Sequence, residues 1–136
     1  MIHEDKDLLL KDLCGRLPYG VKMNHIADDE HSPKTLIGIA KDMITLQGLG
    51  GYECVDVDHY KPYLFPLSSM TKDQKREYNS LRDFVPTYHY EYGDIVEDTE
   101  LYDNRDSIDY LIANHFDYRG LIPKGLANDA TGLNIY

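Results

Sequence analysis

The sequence predicts an α+β fold in one domain spanning residues 1–136, and three observations predict it. Apolar residues recur at three- and four-residue spacing in an N-terminal, a middle and a C-terminal segment, which is the period of a helix. Between the first two helices lie four or five short runs of alternating or β-branched residues separated by turn types. That pattern fits a small, strongly bent antiparallel sheet, or partial barrel. A length of 136 residues is near the commonest domain size, so one core is expected.

Taken in order, residues 5–17 read as a helix, with Leu9, Leu10, Leu13, Cys14 and Leu17 as its apolar stripe. Asp5 and Asp7 suit the positive end of the helix dipole and Arg16 the negative end. Pro18 ends the segment, because the residue before a proline is pushed out of helical geometry. Residues 20–26 alternate as a first strand through Val21, Met23 and His25, and residues 28–33 form a polar hairpin loop. Residues 35–40 and 43–47 are β-rich runs divided by a tight Lys41-Asp42 turn. Residues 54–57 alternate again. A last run at 64–67 is punctuated by Pro62 and Pro66, so a strand there must be short or at an edge.

Thr71-Lys72-Asp73-Gln74 is a capping box opening a helix from Lys72 to about Phe84, with Tyr78, Leu81 and Phe84 inward and a basic patch at Lys75, Arg76 and Arg82. Tyr88, Tyr90 and Tyr92 alternate with His89 and Glu91 as a strand. Residues 91–109 then hold eight acids against Arg105 alone, so an acidic, mobile loop is expected at about 93–105. Asp106 is the expected N-cap of a helix over 107–116, whose Ile108, Leu111, Ile112, His115 and Phe116 share one face. Gly120 and Gly125 punctuate a final apolar unit that packs this corner back on the sheet.

Composition excludes several function classes. The charge is −10, from 14 basic and 24 acidic residues. This opposes direct binding to nucleic acid or to an anionic membrane, both of which need cationic side chains. It favours solubility, a basic protein partner, cations, or mimicry of a phosphate backbone that occupies a nucleic-acid-binding protein; the plainest of these is an acidic surface that only solubilises. Twelve Tyr against three Phe and no Trp point to a thin core rimmed by hydroxyls. Cys14 and Cys54 have no CxxC spacing and read as buried apolar groups. No basic leader and no run of ~18 apolar residues is present, so a cytoplasmic protein is expected.

Candidate chemistry is sparse. His115, Asp117 and Arg119 could orient an imidazole base and grip a phosphate or carboxylate, yet no nucleophile elbow or phosphate loop accompanies them. The preferred reading makes Asp117 a cap, Arg119 an ion-pair partner and the corner scaffolding. Asp56, Asp58 and His59 could hold a divalent cation with Asp28, Asp29, Glu30 or His31, but no EF-hand or HxxxH spacing is present. Gly48-Leu49-Gly50-Gly51 lacks the Lys and Ser/Thr of a phosphate cradle and reads as a turn. No cofactor is implied. The expected partner-binding residues are the carboxylates Glu91, Asp94, Glu97, Asp98, Glu100 and Asp103 together with the rings of Tyr88, Tyr90 and Tyr92.

Three stretches carry a resemblance: residues 11–22 (KDLCGRLPYGVK), 61–71 (KPYLFPLSSMT) and 115–127 (HFDYRGLIPKGLA). Together they resemble a family of small proteins encoded in gut bacteria, often within prophages or other mobile elements. The resemblance implies one shared domain and a mobile-element context, and brings no established activity with it. Pro123 stands where that family usually has an acid, and it works against a short final helix. The leading reading is therefore a non-enzymatic interaction protein of a mobile element, acting as an inhibitor of a basic or nucleic-acid-binding host protein. The rivals are a metal- or phosphate-dependent enzyme centred on His115, Asp117 and Arg119, and an accessory subunit of a larger assembly.

Overall fold

The computed structural model describes residues 1–28 and 32–136. Its elements, in chain order, are α1 (His3–Arg16), β1 (Lys22–His25), β2 (Lys34–Ala40), β3 (Met43–Gly48), β4 (Gly51–Asp56), β5 (Tyr60–Leu64), α2 (Lys72–Leu81), β6 (Asp83–Glu91), β7 (Asp94–Tyr102), α3 (Arg105–Ala113) and β8 (Asn128–Asp129). The fold class is α+β. The chain divides into two compact units, residues 1–69 with 112–136, and residues 70–111.

In the first unit an open six-stranded sheet runs β4-β3-β2-β1-β5-β8. All its pairings are antiparallel except the two-residue β5–β8 ladder. The partial barrel of four or five strands is thus corrected: there are six strands and β4 and β8 are left as edges. β8 escaped sequence reading because Asn128-Asp129 has no alternation, and its position is set by the Ala130 N–H donating to the Leu64 carbonyl at 2.9 Å. The β-rich 35–40 and 43–47 runs lie in β2 and β3, joined through Lys41, whose φ of 58° suits a two-residue hairpin turn. The strand placed at 64–67 falls instead at β5. Pro62 is tolerated there because β8 pairs only with Tyr63 and Leu64, so the proline lies beside β1 alone.

The core of this unit gathers Leu9 and Leu13 of α1 with Val21, Met23, Leu36, Ile44, Leu46, Leu64 and Leu121, all 1% exposed or less. The buried stripe of α1 is Leu9, Asp12, Leu13 and Arg16, one residue round from the expected set. Cys14 is consequently exposed, and so is Cys54, correcting the reading of both as buried. Pro18 does end α1. The chain tightens into a 3₁₀ turn over Leu17–Tyr19 and leaves it through Gly20 at φ 67°.

In the second unit the Thr71 capping box is present: Thr71 Oγ1 accepts from the Gln74 N–H at 3.1 Å, and Gln74 Oε1 accepts from the Thr71 N–H at 2.9 Å. Thr71→Ala is expected to cost about 1 kcal/mol of local stability, seen as faster amide exchange along α2. α2 stops at Leu81, not at Phe84. Phe84-Val85 favour a strand, and Pro86 excludes helix at Val85. Phe84 therefore lies in β6 and is 69% exposed.

The acidic loop expected at 93–105 is corrected too. Nine residues of β6 pair with nine of β7, from Asp83↔Tyr102 to Glu91↔Asp94. Tyr92 (φ 52°) and Gly93 (φ 85°) close this hairpin, both in the positive-φ region that a two-residue turn matching the strand twist requires. Ile95, Val96, Thr99 and Leu101 supplied strand preference beneath the charge. α3 starts two residues earlier than expected, and its cap is Asn104, not Asp106. Asn104 Oδ1 accepts from the Ser107 N–H and Ser107 Oγ accepts from the Asn104 N–H, both at 2.9 Å.

Candidate functional site

Three places carried sequence-predicted site residues, beginning with the corner at 115–119. The strand-like contact of Phe65 with Phe116 fixes it: the Phe65 N–H donates to the His115 carbonyl at 2.8 Å, and the Asp117 N–H to the Phe65 carbonyl at 2.9 Å. His115 itself adopts φ 64°. Its ring stacks on Tyr136 with centroids 3.7 Å apart and planes 11° from parallel. Tyr136 is held in turn, since its hydroxyl donates to the Tyr63 carbonyl and accepts from the Lys22 N–H, both at 2.8 Å. Burial raises the Tyr136 pKa.

Burial, assisted by the positive charges of Arg16 and Lys22, lowers the His115 pKa to about 4, so the ring is neutral at pH 7. The sign of its effect on stability follows. The unfolded chain protonates near pH 6.5 and the folded chain only near 4, so stability falls as pH drops through that window. An NMR titration should place the His115 midpoint near 4, and His115→Phe should flatten the acid limb of stability between pH 6.5 and 4. A midpoint near 6.5 would show the ring open to water.

Asp117 is buried, with one carboxylate oxygen accepting from the Leu121 N–H at 2.8 Å and the other from the Ile122 N–H at 2.9 Å. Arg119 lies over the Tyr118 ring at 4.8 Å, with its Nε 3.3 Å from Asp12 Oδ1. The three candidates are thus neighbours with separate duties: one stacks, one caps a turn and one pairs with α1. Sequence reading missed the group that organises them. Arg16, fully buried, holds Asp12 Oδ2 through Nε at 2.6 Å and donates from Nη2 to the Phe116 carbonyl at 2.7 Å. The available signal was the spacing 9-12-13-16, one helical face on which the second and fourth members are an ion pair.

The second place is the carboxylate set. Asp56 and Asp58, with Asp42, converge on Lys6, whose Nζ lies 3.5, 3.3 and 3.6 Å from them. Burial works against the Lys6 charge, but the hydrogen bond to Asp58 and the three carboxylates prevail and raise its pKa. A lysine thus sits where a cation was considered. His59 stacks on His25 instead, at 6.1 Å. Asp29, Glu30 and His31 lie outside the described residues. Among the described residues no three His, Cys, Asp or Glu side chains gather as a metal-binding group. Gly48-Leu49-Gly50-Gly51 links β3 to β4 and opens no helix. Lys34 beside it is paired with Glu53.

The third place is the β6–β7 hairpin. Residues two apart on a strand share a face, so the register separates two surfaces. Phe84, Pro86, Tyr88 and Tyr90 stand opposite Leu101, Thr99, Glu97 and Ile95 on one. The other carries Asp83, Glu91, Asp94, Asp98 and Glu100 with His89, Thr87, Val85, Val96 and Tyr102. Its contacts agree with that division: His89 lies 3.7 Å from Glu91, and the Tyr102 hydroxyl donates to Glu100. Tyr88, Tyr90 and Ile95 are 66%, 78% and 66% exposed, and Tyr92 at the turn 97%. Asp103 differs from the other expected contact residues: it accepts from the Tyr78 hydroxyl and lies 3.4 Å from Arg82 Nε, so its charge is used within the unit. Burial, the hydrogen bond to Asp103 and its negative charge push the Tyr78 pKa up to about 12.

No helix of the described residues is long and apolar enough to cross a membrane. In comparison with known proteins, the chain matches no family model, no curated protein and no solved structure.

Proposed function

We propose that this chain is a non-enzymatic, cytoplasmic interaction protein of a phage or mobile element that inhibits a basic or nucleic-acid-binding host protein. The observation that carries the reading is the β6–β7 hairpin. Residues 83–102 contain six carboxylates and no Lys or Arg, a formal charge of −6, and five of the six share one face. Same-face neighbours on a strand repeat at roughly 6.6–6.8 Å, the axial advance of two phosphates at about 3.4 Å each along one nucleic-acid strand. Asp98 and Glu100 of β7 are neighbours of this kind. A surface of this kind attracts a cationic groove from a distance and repels nucleic acid.

The test is retention of host protein on the immobilised chain, followed by a salt wash. The reading expects a basic protein held at low ionic strength and released towards 1 M salt, where the Debye length is only about 3 Å. A bound fraction that ignores 1 M salt, or no bound fraction at all, would reject it.

A further inference from the structure

The acidic face explains attraction but leaves the opposite face of the hairpin without a use. A soluble chain rarely leaves Phe, Tyr and Ile side chains exposed together on one surface unless something docks there. A two-stranded ribbon has little other stability to spare for them. One carboxylate, Glu97, sits among these rings, directly opposite Tyr88.

The chain itself indicates what such a set holds. Arg82 lies 5.1 Å from the centre of the Tyr78 ring and 3.4 Å from Asp103. Arg119 lies 4.8 Å from the Tyr118 ring and 3.3 Å from Asp12. In both, a guanidinium lies over a tyrosine ring and within ion-pair distance of a carboxylate, the combination that suits a planar, weakly hydrated cation better than an ammonium. The hairpin has the tyrosines and the carboxylate, and residues 83–102 contain no arginine to fill them.

Resting on the interaction reading above, we infer that Tyr88, Tyr90 and Glu97 form a docking face for an arginine presented by a basic protein segment, with Phe84 and Ile95 covering the apolar part of that segment. A second copy of this chain is the poorer occupant, because stacking two hairpins brings together two charges of −6.

The experiment uses the full chain and two probes of equal length and charge, an arginine–serine and a lysine–serine repeat peptide, with affinity read by fluorescence anisotropy at physiological salt. The arginine peptide should bind at least about fivefold more tightly than the lysine peptide. The paired substitution Tyr88→Leu and Tyr90→Leu, which leaves charge and apolar bulk in place, should erase that preference. Glu97→Gln should weaken the arginine peptide more than the lysine peptide, and the dispersion of the amide spectrum will show that each variant is folded. Equal affinity for both peptides, unaffected by the tyrosine substitutions, would overturn the inference while leaving the acidic interaction reading intact. Binding of neither peptide would overturn both. A dimer in light scattering that the tyrosine substitutions dissolve would assign the face to a second copy and overturn the inference as well.

Discussion

Asp12→Ala is expected to lower the unfolding free energy by about 3–5 kcal/mol, because it strands a buried guanidinium without a counter-ion. Arg16 has no exposed surface and Asp12 only 2%, so water cannot replace the lost carboxylate in the folded state. The same substitution removes the partner of Arg119. A loss of this size is a large share of the 5–15 kcal/mol that keeps a domain folded. Replacing the pair together, as Asp12→Leu with Arg16→Met, should cost much less than the single change. What remains is the Phe116 carbonyl left without its donor, roughly 1–3 kcal/mol, and Arg119, one-quarter exposed, left without Asp12. Urea unfolding with an unchanged m-value separates these outcomes. A single-variant cost below about 1 kcal/mol would mean that solvent reaches the pair and that its worth is that of a surface ion pair.

The second large effect is expected at Asp117. Asp117→Ala leaves the buried Leu121 N–H and the half-buried Ile122 N–H without an acceptor, at a cost of about 2–4 kcal/mol. Asp117→Asn retains one acceptor oxygen and should lose roughly half as much. A catalytic carboxylate behaves differently: its replacement typically leaves stability unchanged or improves it, because active sites hold polar groups under strain. Unfolding curves of the two variants therefore bear on the scaffold role and on the enzyme reading at once.

The residues explain why some of this was legible in the sequence and some was not. The Thr71 box, the Pro18 stop and the Lys41-Asp42 turn are local devices whose chemistry lies within four residues, and each occurs where it was read. The α1 face was misread by one residue because Asp12 and Arg16 count as polar in any hydrophobic pattern, and only their mutual neutralisation lets them be buried. β7 was hidden by its charge: strand preference from Ile95, Val96, Thr99 and Leu101 operates whether or not the intervening positions are acidic. β8 depends on a contact with Leu64, far away in sequence, where no pattern could reveal it. The Asn104 cap is a local bond with Ser107, and it was missed because Asp106, two residues on, is an equally good cap type. At the corner, Asp117 as a cap and Arg119 as an ion-pair partner were legible. The ring stack of His115 on Tyr136 was not, since twenty-one positions separate them.

One division of labour underlies these expectations: residues 115–122 brace the first unit, and the hairpin at 83–102 is proposed to meet the partner. The most direct measurement is the amount of salt-releasable host protein retained by a chain carrying Asp94→Asn, Glu97→Gln, Asp98→Asn and Glu100→Gln, recorded beside its melting temperature. The account predicts that retention is lost while the melting temperature holds or rises, since like charges have been removed. Undiminished retention by that folded variant would contradict it.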